Sequence, residues 1–206
     1  MEEQITSYCT FYIVRHGETD WNVEHRAQGH TDIPINVRGE EQAKEAGKLL
    51  KDIHFDAAYS SDLVRARRTA EIIALDREMK VKTTQLLREQ HFGKFEGTLW
   101  TETSQLFDAR KKLSEEELLH HQIADEETHY EVSTRLFTFL REASLTHRGQ
   151  TILVVTHGGL MRHLLARLGK GSLKQPKYIK NTGFIKLRSD GVEFFLDEVN
   201  GIDERR

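Results

Sequence analysis

Two His residues in this chain stand at the ends of apolar runs, each with Gly directly after it. Val14 leads into Arg15-His16-Gly17, and Val155-Thr156 leads into His157-Gly158-Gly159. Imidazole works near neutral pH as nucleophile, base or hydrogen-bond donor, and the adjacent Gly lets a ligand approach the backbone. A third segment, Ser60-Ser61-Asp62-Leu63-Val64-Arg65, adds a guanidinium in the first turn of a predicted helix, where the helix N-terminus itself favours an anion. Two His and two Arg without an equal number of carboxylates make a dianion pocket. The dianion with the matching chemistry is a phosphomonoester.

For these groups to meet, strands must end at one rim of a sheet. Phe11-Tyr12-Ile13-Val14 and Thr151 to Thr156 read as buried strands, Ala57-Ala58-Tyr59 as a short one and Val81-Lys82-Thr83 as a weak one. Helices alternate with them. One follows Asn36 as N-cap, with Ala43, Ala46, Leu49, Leu50 and Ile53 at spacings of three and four. Another is capped by Asp62 and turns Leu63, Ala66, Ala70 and Ile73 inward, and a third carries Leu160, Leu164, Leu165 and Leu168 and stops at Gly169. Thr182 to Arg188 and Val192 to Leu196 alternate around Ser189-Asp190-Gly191, as a closing hairpin does. The expected fold is a three-layer α/β/α domain over residues 1–206, with a mostly parallel central sheet and an antiparallel edge. A helical insert is expected at about 98–142, with Leu106, Leu113 and Leu118 and then Val132, Leu136, Phe139, Leu140 and Ala143 as its apolar positions. Pro34 and Pro176 fall in connecting segments. Ligands of such sheets bind beyond the carboxyl ends of the strands, where His16 and His157 would project.

Composition narrows the partners. With 30 Lys and Arg against 33 Asp and Glu, the formal charge is -3, so no overall field favours nucleic acid or an anionic membrane. The start, Met1-Glu2-Glu3-Gln4, is acidic and polar, unlike a secretory signal, and Ile152-Leu153-Val154-Val155 is too short to cross a bilayer. A single Cys, Cys9, excludes an internal disulfide framework and fits a reducing compartment, so a cytoplasmic location is expected. No segment sets an oligomeric state.

Five segments together carry a family resemblance. They are Arg15-His16-Gly17-Glu18-Thr19-Asp20-Trp21-Asn22, Ser61-x-Leu63-x-Arg65-Ala66-x-x-Thr69-Ala70, Leu87-x-Glu89, Phe92-Gly93-x-Phe95-Glu96-Gly97 and Thr156-His157-Gly158-Gly159. In this order the chain resembles the histidine phosphatase superfamily, also called phosphoglycerate mutase-like. The resemblance implies that His16 attacks phosphorus and becomes phosphohistidine. It implies that Arg15, Arg65, His157 and Asn22 donate to the phosphoryl oxygens, that Gly158 lies at the same phosphate, and that Glu89 protonates the leaving alkoxide and later takes a proton from water. Gln28 and Gly29 match the family's loop on the substrate side. Arg15, Arg65 and the second His would also keep His16 neutral by like-charge repulsion. The guanidinium groups supply the positive charge, so no metal and no cofactor is expected, and the substrate class is a small phosphorylated metabolite.

Bland roles compete at several positions. Arg67 and Arg68 read as surface charges, Trp21 as packing, Gln28-Gly29 as a simple turn, and His120-His121 as a surface pair. Glu18 and Glu96 are rivals of Glu89 as the acid. Among reactions, mutases of the family carry Tyr and Asn where this chain has Phe92 and Gly159, which favours a phosphatase over a phosphoglycerate mutase. A phospho-ligand binding protein on the same fold would need neither nucleophile nor acid. A His-Glu-x-x-His zinc motif is absent, and Gly169-Lys170-Gly171-Ser172 fails the spacing of a nucleotide-binding loop.

Overall fold

A computed structural model describes residues 7–175 and 177–202. Met1-Glu2-Glu3-Gln4, Pro176 and the side chain of Leu106, all named above, lie outside the described residues. Along the chain come β1 (Cys9–Arg15), α1 (Asp20–Val23), α2 (Val37–Leu49), β2 (Ala57–Ser61), α3 (Val64–Ala74) and β3 (Val81–Thr84). Then follow α4 (Trp100–Asp108), α5 (Glu115–His120), α6 (His129–Thr146), β4 (Thr151–Thr156), α7 (Gly158–Arg167), β5 (Phe184–Ser189) and β6 (Phe194–Val199). The strands form one sheet in the order β3-β2-β4-β1-β5-β6. Its first four strands are parallel and β5 and β6 run antiparallel, as the alternation of strands and helices predicts.

Side-chain alternation divides the sheet's residues between two cores. Phe11 and Ile13 of β1, with Ile152 and Val154 of β4, face a layer formed by α6 and α7, where Leu136, Leu140, Leu160 and Leu164 are fully buried. Tyr12, Val14, Leu153 and Val155 face the other way, onto α2 and α3 through Ala46, Leu50, Ala66, Ala70 and Ile73. Being covered on both faces is why β1 and β4 read as continuous apolar runs.

Two local features differ from expectation. The helical stretch predicted over 98–142 breaks into three helices, and the last of them, α6, packs on the sheet through Val132, Leu136, Phe139 and Leu140. Asp62 does not cap α3. Its carboxylate is forked to Arg88 at 2.6 and 2.8 Å, and Asp32, from a distant loop, accepts the Val64 N–H at 2.7 Å in its place. Asn36 does cap α2, accepting from Gly39 N–H at 2.8 Å. Among the described residues no helix is long and apolar enough to cross a membrane.

Candidate active site

The pairing of β1 with β4 sets Arg15 opposite Thr156, and the His16 N–H continues the ladder to the Thr156 carbonyl at 2.9 Å. Both strands therefore release their chains at the same rim, and the His16 and His157 rings lie 5.2 Å apart, centre to centre. His16 is buried. Its Nδ1 sits 2.7 Å from the Gly17 carbonyl, an acceptor only, so Nδ1 carries the proton and the lone pair lies on Nε2. Burial first, and then the charges of Arg65 and Arg15, hold this imidazole well below its usual pKa. Like-charge repulsion thus acts as expected, but removal from water is the larger cause. Gly17 is needed for close packing, because a Cβ there would lie 2.5 Å from the Gly39 carbonyl oxygen.

Arg65 is fully buried, and each of its three nitrogens makes one hydrogen bond within the protein, which leaves one N–H on each Nη for a ligand. Nε donates to His157 Nδ1 at 3.2 Å, Nη1 to the Thr31 carbonyl at 2.8 Å and Nη2 to the Gly29 carbonyl at 2.7 Å. Burial lowers its pKa to about 10, against the opposing pull of Glu89, Asp32 and Glu96, so it remains a cation. Because Arg65 donates to Nδ1, a neutral His157 carries its proton on Nε2, which has no partner among the described residues. His157 is held well below the usual imidazole pKa, by burial and then by Arg65. Arg67 and Arg68 point outward, to Glu71 and Glu40.

Arg15 Nη1 donates to the Ile179 carbonyl at 2.7 Å, and a Cβ at Gly158 would lie 3.1 Å from Arg15 Nε. Gly158 thus leaves room for the guanidinium. Asn22 closes a capping box with Thr19, accepting the Thr19 N–H on Oδ1 at 3.1 Å. Asn181 Nδ2 donates a hydrogen bond to the same oxygen at 3.3 Å, which leaves the Asn22 Nδ2 group as a donor. Gln28 is buried beside this space. Gly29, at φ +51°, serves from behind through its carbonyl on Arg65, and the Glu96 carboxylate fills the place where its Cβ would stand.

Glu96 accepts from His30 and Thr31 N–H, both at 2.8 Å, and from the Thr31 hydroxyl at 2.6 Å, so its carboxylate is spent on holding that loop. Glu89 instead reaches the rim. Its Oε2 accepts the Gly159 N–H at 3.0 Å and its Oε1 the Gln90 N–H at 2.9 Å. A Cβ at position 159 would lie 2.1 Å from Oε1, so any side chain there would displace the carboxylate.

Arg15, His16, Asn22, Gln28, Arg65, Glu89 and Gly158 all line one cavity of about 960 Å³; His157 is fully buried directly beside His16, Gly29 supports Arg65 through its carbonyl, and Glu18 is not part of the cavity. Trp21 also faces this space. Two supporting residues were not singled out from the sequence. Arg135 of α6 grips the loop bearing Glu89, donating to the Leu86 and Glu89 carbonyls at 3.0 and 2.9 Å while paired with Glu127 at 2.6 Å. Asn181 donates to the His16 carbonyl at 2.9 Å. Neither stands beside a motif: Arg135 is one of several charged residues on α6, and Asn181 lies in the connection before β5, so no signal in the sequence marks them.

The sequence matches the model of the histidine phosphatase superfamily (branch 1) over residues 11–201. It is 36% identical over 198 residues to phosphoglycerate mutase-like protein 4 of Arabidopsis thaliana, covering 95% of this chain and 86% of that one. It is 32% identical over 190 residues to the uncharacterized phosphatase PhoE of Bacillus subtilis (strain 168), covering 92% and 89%. Among solved structures, Bacillus stearothermophilus YhfR superposes with a TM-score of 0.82 at 31% identity, covering 94% of this chain and 96% of that one.

Proposed function

The chain belongs to the histidine phosphatase superfamily, and we propose that it is a metal-independent phosphomonoester phosphatase acting through a phosphohistidine at His16. The observation that carries the reading is His16 itself: buried, neutral, protonated on Nδ1 by its bond to Gly17, and facing a cationic cavity with Nε2. A nucleophilic imidazole requires that state.

In the first step His16 Nε2 attacks phosphorus, a P–N bond forms and the P–O bond to the leaving group breaks. Negative charge on the equatorial oxygens meets Arg15, Arg65, Asn22 Nδ2 and the Nε2–H of His157, a buried donor with no acceptor among the described residues. Protonated Glu89 gives its proton to the departing alkoxide. In the second step water attacks phosphorus, its proton passes to the Glu89 carboxylate, and the P–N bond breaks to release phosphate and restore neutral His16. Gly159 suits this role by leaving the Glu89 carboxylate its place at the rim.

Hydrolysis is favoured over mutase chemistry by position 92, where a buried Phe packs edge-on against Trp100 and has no hydroxyl, and by Gly159, which has no side-chain amide, the two groups that mutases of the family carry at these places. Incubation with 3-phosphoglycerate and catalytic 2,3-bisphosphoglycerate should form 2-phosphoglycerate negligibly, while p-nitrophenyl phosphate is hydrolysed undiminished in EDTA. Rapid, bisphosphoglycerate-dependent interconversion of the phosphoglycerates, or loss of hydrolysis in EDTA, would overturn the reading.

Glu89→Gln supplies a second handle. The amide keeps an oxygen for the Gly159 N–H but has no proton to give, so kcat on an alkyl phosphate should fall about 10²-fold or more. The loss on p-nitrophenyl phosphate, whose leaving group hardly needs a proton, should be at least about tenfold smaller. Equal losses on both esters would remove Glu89 from the role of acid.

A further inference from the structure

We propose that the cavity takes a ring-bearing phosphomonoester with a second anionic group, and that Arg162 on α7 binds this second group. The inference rests on the phosphatase reading and names the substrate class of the same site.

At about 960 Å³ the cavity far exceeds what a phosphate and a short carbon chain fill. Its charge is one-sided. Seven of its lining side chains are Lys or Arg and one, Glu89, is acidic, although the whole chain carries a formal charge of -3. Arg15 and Arg65 attend the phosphate. Of the cations beyond them, Arg26 pairs with Glu24, Lys111 with Asp108, and Arg110 with the buried Glu126. Arg162 and Lys174 remain: among the described residues no carboxylate pairs with either side chain, but Lys174 is exposed, whereas the Arg162 guanidinium is held over the Tyr178 ring at 5.0 Å. A guanidinium fixed on an aromatic platform keeps its edge donors for a ligand oxygen.

A second observation points to the same place. His163, next to Arg162 and only 4% exposed, lines the cavity, with its Nε2 3.3 Å from His129 Nδ1. Its Nδ1 has no partner among the described residues. Burial, then the neighbouring charges, keeps both rings neutral, His129 down to about 4. When His129 donates to His163, the Nδ1 of His163 keeps a proton and lacks an acceptor, which an anion's oxygen would supply.

The cavity also has aromatic walls, with Trp21, Phe92, Trp100 and Tyr178 among its lining residues, surfaces on which a flat ring packs well. Arg162 lies four residues after Gly158, about 6 Å along the helix axis, so the second anion stands roughly that far or farther from phosphorus. A para-substituted aryl phosphate meets this spacing.

The test compares 4-(carboxymethyl)phenyl phosphate with 4-(carbamoylmethyl)phenyl phosphate, in which a methylene insulates the leaving oxygen from the change of charge. kcat/KM is measured with the wild type, and Kd by calorimetry with the His16→Ala protein. The carboxylate should be favoured about tenfold by both measures. Arg162→Gln should bring the ratio near one, and Arg162→Lys should retain part of it. A wild-type ratio near one, which needs no variant to interpret, or a full ratio surviving in Arg162→Gln, would overturn the assignment. If neither ester were hydrolysed, the phosphatase reading would fail, and the binding ratio would still decide this inference.

Discussion

Replacing His16 by Ala is expected to lower phosphomonoester turnover by about 10⁴-fold or more while substrate binding survives. The size of the loss follows from the geometry of the neighbours. His157 is the other imidazole at the rim, but its Nδ1 is bonded to Arg65 Nε and its Nε2 carries the remaining proton, so it has no lone pair for phosphorus. Glu89 is tethered by two backbone N–H groups, those of Gly159 and Gln90. Neither can replace His16. Arg15, Arg65 and Asn22 remain in the variant, so binding of phosphate or vanadate, followed by calorimetry, should persist. Turnover in His16→Ala within tenfold of wild type would exclude His16 as the nucleophile.

Arg65→Lys is the second large effect, expected to lower kcat/KM by about 10²- to 10³-fold despite the conserved charge. A single ammonium cannot serve His157 Nδ1, the Thr31 carbonyl and the Gly29 carbonyl along the three directions that the guanidinium reaches. Losing the Nε bond frees the His157 tautomer, and losing the Gly29 bond loosens the loop beside Gln28. Each buried carbonyl left without a donor costs about 1–3 kcal/mol, so the melting temperature should fall together with activity. Wild-type kcat/KM in this variant would place Arg65 outside the phosphate site.

Much of this architecture was legible in the sequence, for definite reasons. Strands buried on both faces leave continuous apolar runs, and a strand that ends in Arg-His-Gly or Thr-His-Gly-Gly announces its rim, so the meeting of His16 and His157 followed from the runs and the motifs. Arg65 could be separated from Arg67 and Arg68 because the residue nearest a helix N-terminus faces the strand ends. Contacts made across the chain were not legible. Asp62 has the look of a cap, but only the fold brings Arg88 to it and Asp32 to Val64. The helical spacing of α6 is the same whether a helix stands in an insert or covers a sheet, and the sheet decides. Gly29 sits in a segment that a turn explains equally well, and its use lies in a carbonyl, which every residue possesses. Arg135 and Asn181 support the site from 46 and 165 residues away in sequence.

The central claim is a covalent bond between phosphorus and His16. It is tested most directly by quenching the enzyme with base during turnover of a labelled phosphomonoester and locating the label by peptide mapping. An acid-labile, base-stable phosphoryl group on His16, absent from His16→Ala, is the expected result. A label on His157, or turnover through which His16 stays unmodified at every quench time, would contradict it.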